Sequence, residues 1–147
     1  MSLIYFAYGS NMNRKQMSKR CPNATFEGVG ILENYELCFP IISQKRNNAG
    51  VASIRKKDSA KVEGILYNIS DDEINIMDGF EGKNYFRTEL KVLFKNEFIT
   101  AYTYIAKEND ASHKIPSKEY MDVILSGAYE NGLSQEYIDF LKKFETI

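Results

Sequence analysis

The sequence predicts an α+β fold: a small, mixed and mostly antiparallel β-barrel with flanking helices. Three observations predict it. Runs of strand length follow one another along the chain, joined mostly by short polar turns. The 10 Tyr and 9 Phe are residues that pack well on a pleated sheet. The helical signals are few and do not alternate one-for-one with strands, which disfavours a doubly wound parallel sheet.

The elements follow in order. Ile4–Ser10 reads as a central strand that breaks at Gly9-Ser10-Asn11. Asn13–Arg20 is polar and helical, and it stops before Cys21-Pro22. Ala24–Ser43 is extended with a bend, and Lys45-Arg46-Asn47-Asn48 belongs to a polar connection. Gly50–Lys56 is a short strand, Asp58-Ser59 a turn, and Lys61–Ile69 an alternating strand. Ser70 with Glu73 three residues on is a capping box, opening a short helix that Gly79 or Gly82 ends. Tyr85–Phe94 and Phe98–Ala106 form a hairpin through Lys95-Asn96-Glu97. After the polar stretch Asn109–Ile115, Ser117 caps a helix that Asn131-Gly132 ends, with Tyr120, Ile124, Gly127 and Ala128 on one face. Ser134 caps the last helix, whose stripe is Tyr137, Ile138, Leu141 and Phe144. The tally is six or seven strands with three or four helices.

Composition narrows the function. The 147 residues fit a single domain, 1–147. A net charge of -1 with scattered Lys and Arg argues against nucleic acid as a partner. Arg55-Lys56-Lys57 reads as a solvated face. No apolar stretch has transmembrane length and the first residues lack a signal-peptide pattern, so no membrane partner and a cytoplasmic location are expected. Cys21 and Cys38 fit no metal spacing and read as free thiols. No metal and no cofactor is expected.

The chemistry has to do without common nucleophilic machinery. There is one histidine, His113, in a polar loop, so neither a Ser–His–Asp triad nor a multi-histidine metal site is easily built. Neither GxGxxG nor a Walker A loop occurs. Two features remain. Tyr8-Gly9-Ser10-Asn11 is either a tight turn with left-handed Gly and Asn, or a loop offering backbone N–H groups to an anion. Glu81, between Phe80 and Gly82, is either a solvated helix-end carboxylate or one pressed against a cavity, where desolvation raises its pKa towards general-base range. Tyr120 at helical spacing reads as core by default.

Taken together these pieces resemble the gamma-glutamylcyclotransferase family. Tyr5-Phe6-Ala7-Tyr8-Gly9-Ser10-Asn11-Met12 resembles its YGSN loop, and Val62-Glu63-Gly64-Ile65-Leu66-Tyr67 its V-x-G-x-L-Y strand. Asp78-Gly79-Phe80-Glu81-Gly82 resembles its D-x-x-E-G turn. Pro116-Ser117-Lys118-Glu119-Tyr120 with Gly127-Ala128 and Gly132-Leu133 resembles its C-terminal helix. The resemblance implies a mixed β-barrel with flanking helices and a small γ-glutamyl substrate. It implies that Glu81 is the acid/base, that Tyr8, Gly9, Ser10 and Asn11 form the substrate loop, and that Tyr120 lines the pocket. The family converts a γ-glutamyl amide to 5-oxoproline and an amine, the substrate supplying its own nucleophile. The stretch Asp78–Arg87 resembles the small γ-glutamylamine-type members more than the glutathione-specific ones. Arg46 and Arg87 are candidates for a leaving-group carboxylate, against the simpler reading of surface charges. The alternatives are a non-catalytic small-ligand or protein-binding module on the same fold, and hydrolysis at the same site. The last helix faces inward or across a homodimer interface.

Overall fold

The computed structural model describes residues 2–43, 49–107 and 114–147. Its strands are β1 (Ser2–Ala7), β2 (Thr25–Ser43), β3 (Ala49–Ser70), β4 (Tyr85–Phe94) and β5 (Glu97–Ala106). The helices are α1 (Arg14–Arg20), α2 (Asp71–Glu81), α3 (Lys118–Glu130) and α4 (Gln135–Lys142). Short 3-10 turns occupy Ser10–Met12 and Gly82–Asn84. None of the described helices is long and apolar enough to cross a membrane.

The sheet is mixed. Its order, β1-β3-β2-β4-β5, closes on itself because β5 returns to β1. The β2–β3 and β4–β5 pairs are antiparallel; β1 is antiparallel to β3 and parallel to β5, meeting it at Tyr5↔Tyr102. Phe6, Leu37, Ile54, Ile65, Leu66 and Val92 fill the core.

Five strands among the described residues replace the six or seven expected, and the reason is local. Asp58-Ser59 does not break the chain into two strands; β3 runs through it. Pairing passes from Glu33↔Lys61 to Tyr35↔Lys56, so the extra residues of β3 bulge out opposite Asn34. Asn34 and Ser59 both take positive φ (65° and 68°), and the Ser59 N–H donates to Asn34 Oδ1 at 3.1 Å. The turn chemistry is present; the cross-strand ladder absorbs it.

The caps follow the sequence. Ser70, Ser117 and Ser134 each accept the backbone N–H three residues on, at 3.1, 3.1 and 3.2 Å. The Ser70 box departs from expectation in its second half: the Glu73 carboxylate accepts the Asn23 N–H at 3.2 Å, tying α2 to the end of the α1 connection. Gly79 lies inside α2; Gly82, at φ 71°, ends it. Lys95 and Asn96, both at positive φ, make the tight β4–β5 turn. Buried Tyr137, Ile138 and Leu141 turn the stripe of α4 inward. The buried Glu63 of β3 holds that helix by its cap, accepting from Ser134 N–H at 2.9 Å and Ser134 Oγ–H at 2.6 Å.

Candidate functional site

β1 ends at Ala7, and the chain must turn away at once. It does so without left-handed residues: Gly9 sits at φ -113° and Asn11 is absent from the positive-φ residues, so the left-handed turn reading does not apply. Instead Ser10–Met12 forms one 3-10 turn, closed by the Met12 N–H to Gly9 carbonyl bond at 3.0 Å. Among the described residues, the N–H groups of Gly9, Ser10 and Asn11 enter no such bond, as befits the first turn of a helix.

Two close approaches hold this loop. A Cβ on Gly64 would fall 2.5 Å from the Ala7 carbonyl oxygen, so only glycine lets β3 lie so near the end of β1. A Cβ on Gly127 would fall 2.5 Å from the Met12 carbonyl carbon, so glycine also lets α3 press on the loop. Asn131 reinforces the second contact, donating from Nδ2 to the Met12 carbonyl at 2.8 Å.

The loop faces a cavity of about 890 Å³. Tyr8, Gly9, Ser10 and Asn11 form part of its wall, together with Tyr120 from α3 and Glu81 from the end of α2. The acid/base candidate, the four loop residues and the pocket tyrosine expected from the sequence therefore line one cavity, although Glu81 and Tyr120 are far from the loop along the chain. Tyr120 lines the cavity as well as packing: its hydroxyl accepts the Ala52 N–H at 3.0 Å and lies 3.7 Å from where a Gly9 Cβ would stand. Tyr85 donates to the Ala52 carbonyl at 2.6 Å, so two tyrosines grip one residue of β3.

Glu81 is partly buried, and burial pushes its carboxyl up to about 7. Arg20 opposes the rise and Asp78 adds to it. The phenols of Tyr5, Tyr8, Tyr85 and Tyr104 all stand near enough to feel the Glu81 charge, and burial raises each of them further. The carboxylate thus sits against an aromatic wall. Asp78, one helical turn earlier, accepts the Tyr104 hydroxyl and lies 3.8 Å from Arg87.

Side-chain hydrogen bonds refine the sequence picture. Asn11 is 4% exposed and its amide is committed to the protein. Its Nδ2 donates to Tyr5 Oη at 3.0 Å, and its Oδ1 accepts from Gln16 Nε2 at 2.9 Å and Arg20 Nη1 at 3.1 Å. The Tyr8 hydroxyl is likewise committed, donating to the Tyr104 carbonyl. The polar ends of both side chains are thus tied to other parts of the protein. Arg87 is outside the lining and pairs with Asp78 instead; Arg46 and His113 lie outside the described residues. Sequence reasoning missed Arg20, Tyr5, Tyr85 and Tyr104. Arg20 had one available signal: it stands four residues after Gln16, so both reach the loop from one face of α1.

The profile of the AIG2-like family matches residues 61–141. Proteins named gamma-glutamylcyclotransferase from Mus musculus and Homo sapiens are 33% and 32% identical to this chain, covering 98% of it and 79% of their own length. A solved structure titled gamma-glutamyl cyclotransferase superposes with a TM-score of 0.92 at 31% identity, over 100% of this chain and 90% of that one. A yeast structure whose title describes a glutathione-specific cyclotransferase superposes at 0.68 with 13% identity, over 95% and 93% of the two chains, a likeness of fold.

Proposed function

The chain belongs to the gamma-glutamylcyclotransferase family, and we propose that it cleaves a γ-glutamyl amide by cyclisation, with Glu81 as general acid and base. The observation that carries this reading is the meeting of a carboxyl group raised to about 7 with the Gly9–Asn11 loop in one cavity.

The substrate's α-amine attacks its own γ-carbonyl carbon. A carbon–nitrogen bond forms, closing a five-membered ring, and the carbonyl oxygen becomes an oxyanion. The bond to the leaving nitrogen then breaks as that nitrogen takes a proton, giving 5-oxoproline and a free amine. No protein nucleophile is needed. The attack is already intramolecular in the free substrate, and the cavity contributes by holding amine and carbonyl in a near-attack pose.

Proton transfer explains why the acid must be perturbed. A free α-amine has a pKa of about 7.7–8.0 and arrives mostly as ammonium. An ordinary Glu, at about 4.3, would be a base weaker by about 3.5 units, which makes the transfer uphill by about 5 kcal/mol. With Glu81 at about 7, the mismatch falls to about one unit, or about 1.4 kcal/mol. The same carboxyl, once protonated, delivers the proton to the leaving nitrogen. The amides at Gly9, Ser10 and Asn11 serve the oxyanion or the α-carboxylate; losing one oxyanion donor typically costs about 2.7–4 kcal/mol. Tyr8 and Tyr120 shape the wall that holds the glutamyl chain. A binding module has no need for a carboxyl held at such a pKa, which favours catalysis over that alternative. Buried cysteines outside any disulfide, Cys21 and Cys38, suit a cytoplasmic location.

The test is a panel of γ-glutamyl amino acids, γ-glutamylamines and glutathione, assayed for 5-oxoproline and released amine. Equal amounts of both products from at least one compound are expected. Free glutamate would make the protein a hydrolase, and no turnover of any compound would leave the fold as a binding module.

A further inference from the structure

Arg20, the last residue of α1, stands in the cavity wall with Glu81 and is half-buried. Its guanidinium is fixed on two sides. Nη1 donates to Asn11 Oδ1 at 3.1 Å, and the guanidinium carbon lies 5.0 Å from the centroid of the Phe80 ring. Asn11 cannot shift to follow it, because Tyr5 and Gln16 lock the same amide. A guanidinium carries five N–H donors in a rigid fork. Among the described residues no carboxylate forms a salt bridge with it. The result is an oriented cation with donors to spare, inside a cavity whose anionic neighbour is Glu81.

The geometry points to Arg20 as the residue that binds the substrate's α-carboxylate, leaving the backbone amides of Gly9, Ser10 and Asn11 to the oxyanion. This rests on the γ-glutamyl reading above. The α-amine and α-carboxylate share one carbon, so an amine presented to Glu81 brings its carboxylate beside the same acid. Two carboxylates there repel unless a cation stands between or beside them. Arg20 meets that need, and its fork matches a carboxylate edge. The amine, flanked by Glu81, then faces the γ-carbonyl at the loop. Asn11 is a positioning residue that aims the fork.

A matched pair of substrates tests this. γ-Glutamyl-alanine and 4-aminobutanoyl-alanine differ in structure by the α-carboxylate, whose loss also makes the amine more basic, from about 8 towards about 10; the second cyclises to 2-pyrrolidinone with release of alanine. The wild-type protein should favour the first by at least about 100-fold in kcat/KM. Arg20→Gln should shrink that preference by about 100-fold, chiefly through KM, leaving the part set by amine basicity, and Arg20→Lys should recover part of it. An undiminished preference in Arg20→Gln overturns the proposal. So does an equal fall on both substrates, which would place Arg20's action on Glu81 alone. Inhibition of the unaltered protein gives a readout independent of any variant's folding: 5-oxoproline should inhibit more strongly than 2-pyrrolidinone, and equal inhibition overturns the assignment. Failure of the wild type to release 5-oxoproline from any γ-glutamyl compound sinks the functional reading itself.

Discussion

Glu81 is destabilising where it is useful. Its folded-state pKa of about 7 stands above the ordinary 4.5, so the folded chain holds a proton that the unfolded chain has released between those values. Its contribution to stability is therefore fully present below pH 4.5 and lost as pH rises through about 7. Glu81→Gln removes that loss. It should fold normally and melt higher than wild type at pH 8, by on the order of 2 kcal/mol once partial exposure is allowed for, with the difference vanishing near pH 4. The same variant should lose cyclisation by a factor of about 10²–10⁴. Wild-type kcat/KM should fall on the acid side of about 7; a flat profile across about pH 4–8 would remove Glu81 from proton transfer. An acid between a phenylalanine and a glycine was visible in the sequence as a candidate. The saturated amide of Asn11 was not, because its partners Tyr5, Gln16 and Arg20 come from the strand and helix on either side of the loop, and only packing brings them to one point.

Between elements, two glycines of similar sequence appearance do opposite things. Gly127 of α3 is packed against Met12, where an added Cβ would stand 2.5 Å from backbone that has no easy retreat. Gly127→Ala should cost about 1–3 kcal/mol in chemical denaturation and lower turnover as well, since the strain is released into the substrate loop. Gly79, inside α2, has nothing within 4 Å of an added Cβ. Gly79→Ala should raise stability by about 0.5–1 kcal/mol through helix propensity and a less flexible unfolded chain. Equal effects of the two substitutions would contradict this account of α3. Helix starts were legible because a capping serine is a local signal satisfied within one turn. The continuity of β3 through Ser59 was not, because its partner ladder on β2, which carries the chain past the bulge, is set by pairing and not by nearby residues. For the same reason Glu73 looked like the second half of a capping box and instead reaches Asn23.

The molecule as a whole depends on a closure that no local pattern announces. Both hairpins, β2–β3 and β4–β5, join neighbours in sequence, whereas β1 lies between β3 and β5 and meets the latter in parallel. That long-range insertion carries tyrosines inward from several strands: Tyr5 on β1, Tyr67 on β3, and Tyr104 on β5, with Tyr5 stacked on Tyr67 at 6.3 Å and edge-on to Tyr104 at 6.0 Å. The aromatic content predicted strands; it did not say that the phenols would face one another. Burial raises the pKa of Tyr5, Tyr8, Tyr67, Tyr85, Tyr104 and Tyr137 above the ordinary value of about 10. A raised folded-state pKa means stability that is intact below about pH 10 and withdrawn above it, since the unfolded chain ionises first. Phenolate absorbance followed against pH should therefore show these six ionising in one cooperative step that coincides with loss of the near-ultraviolet circular dichroism. A smooth titration of all ten tyrosines near pH 10 with the fold intact would mean that the ring of strands is open to water. In Tyr5→Phe the step should stay cooperative and lose one phenolate of amplitude, while the freed Asn11 amide loosens its hold on Arg20 and lowers turnover.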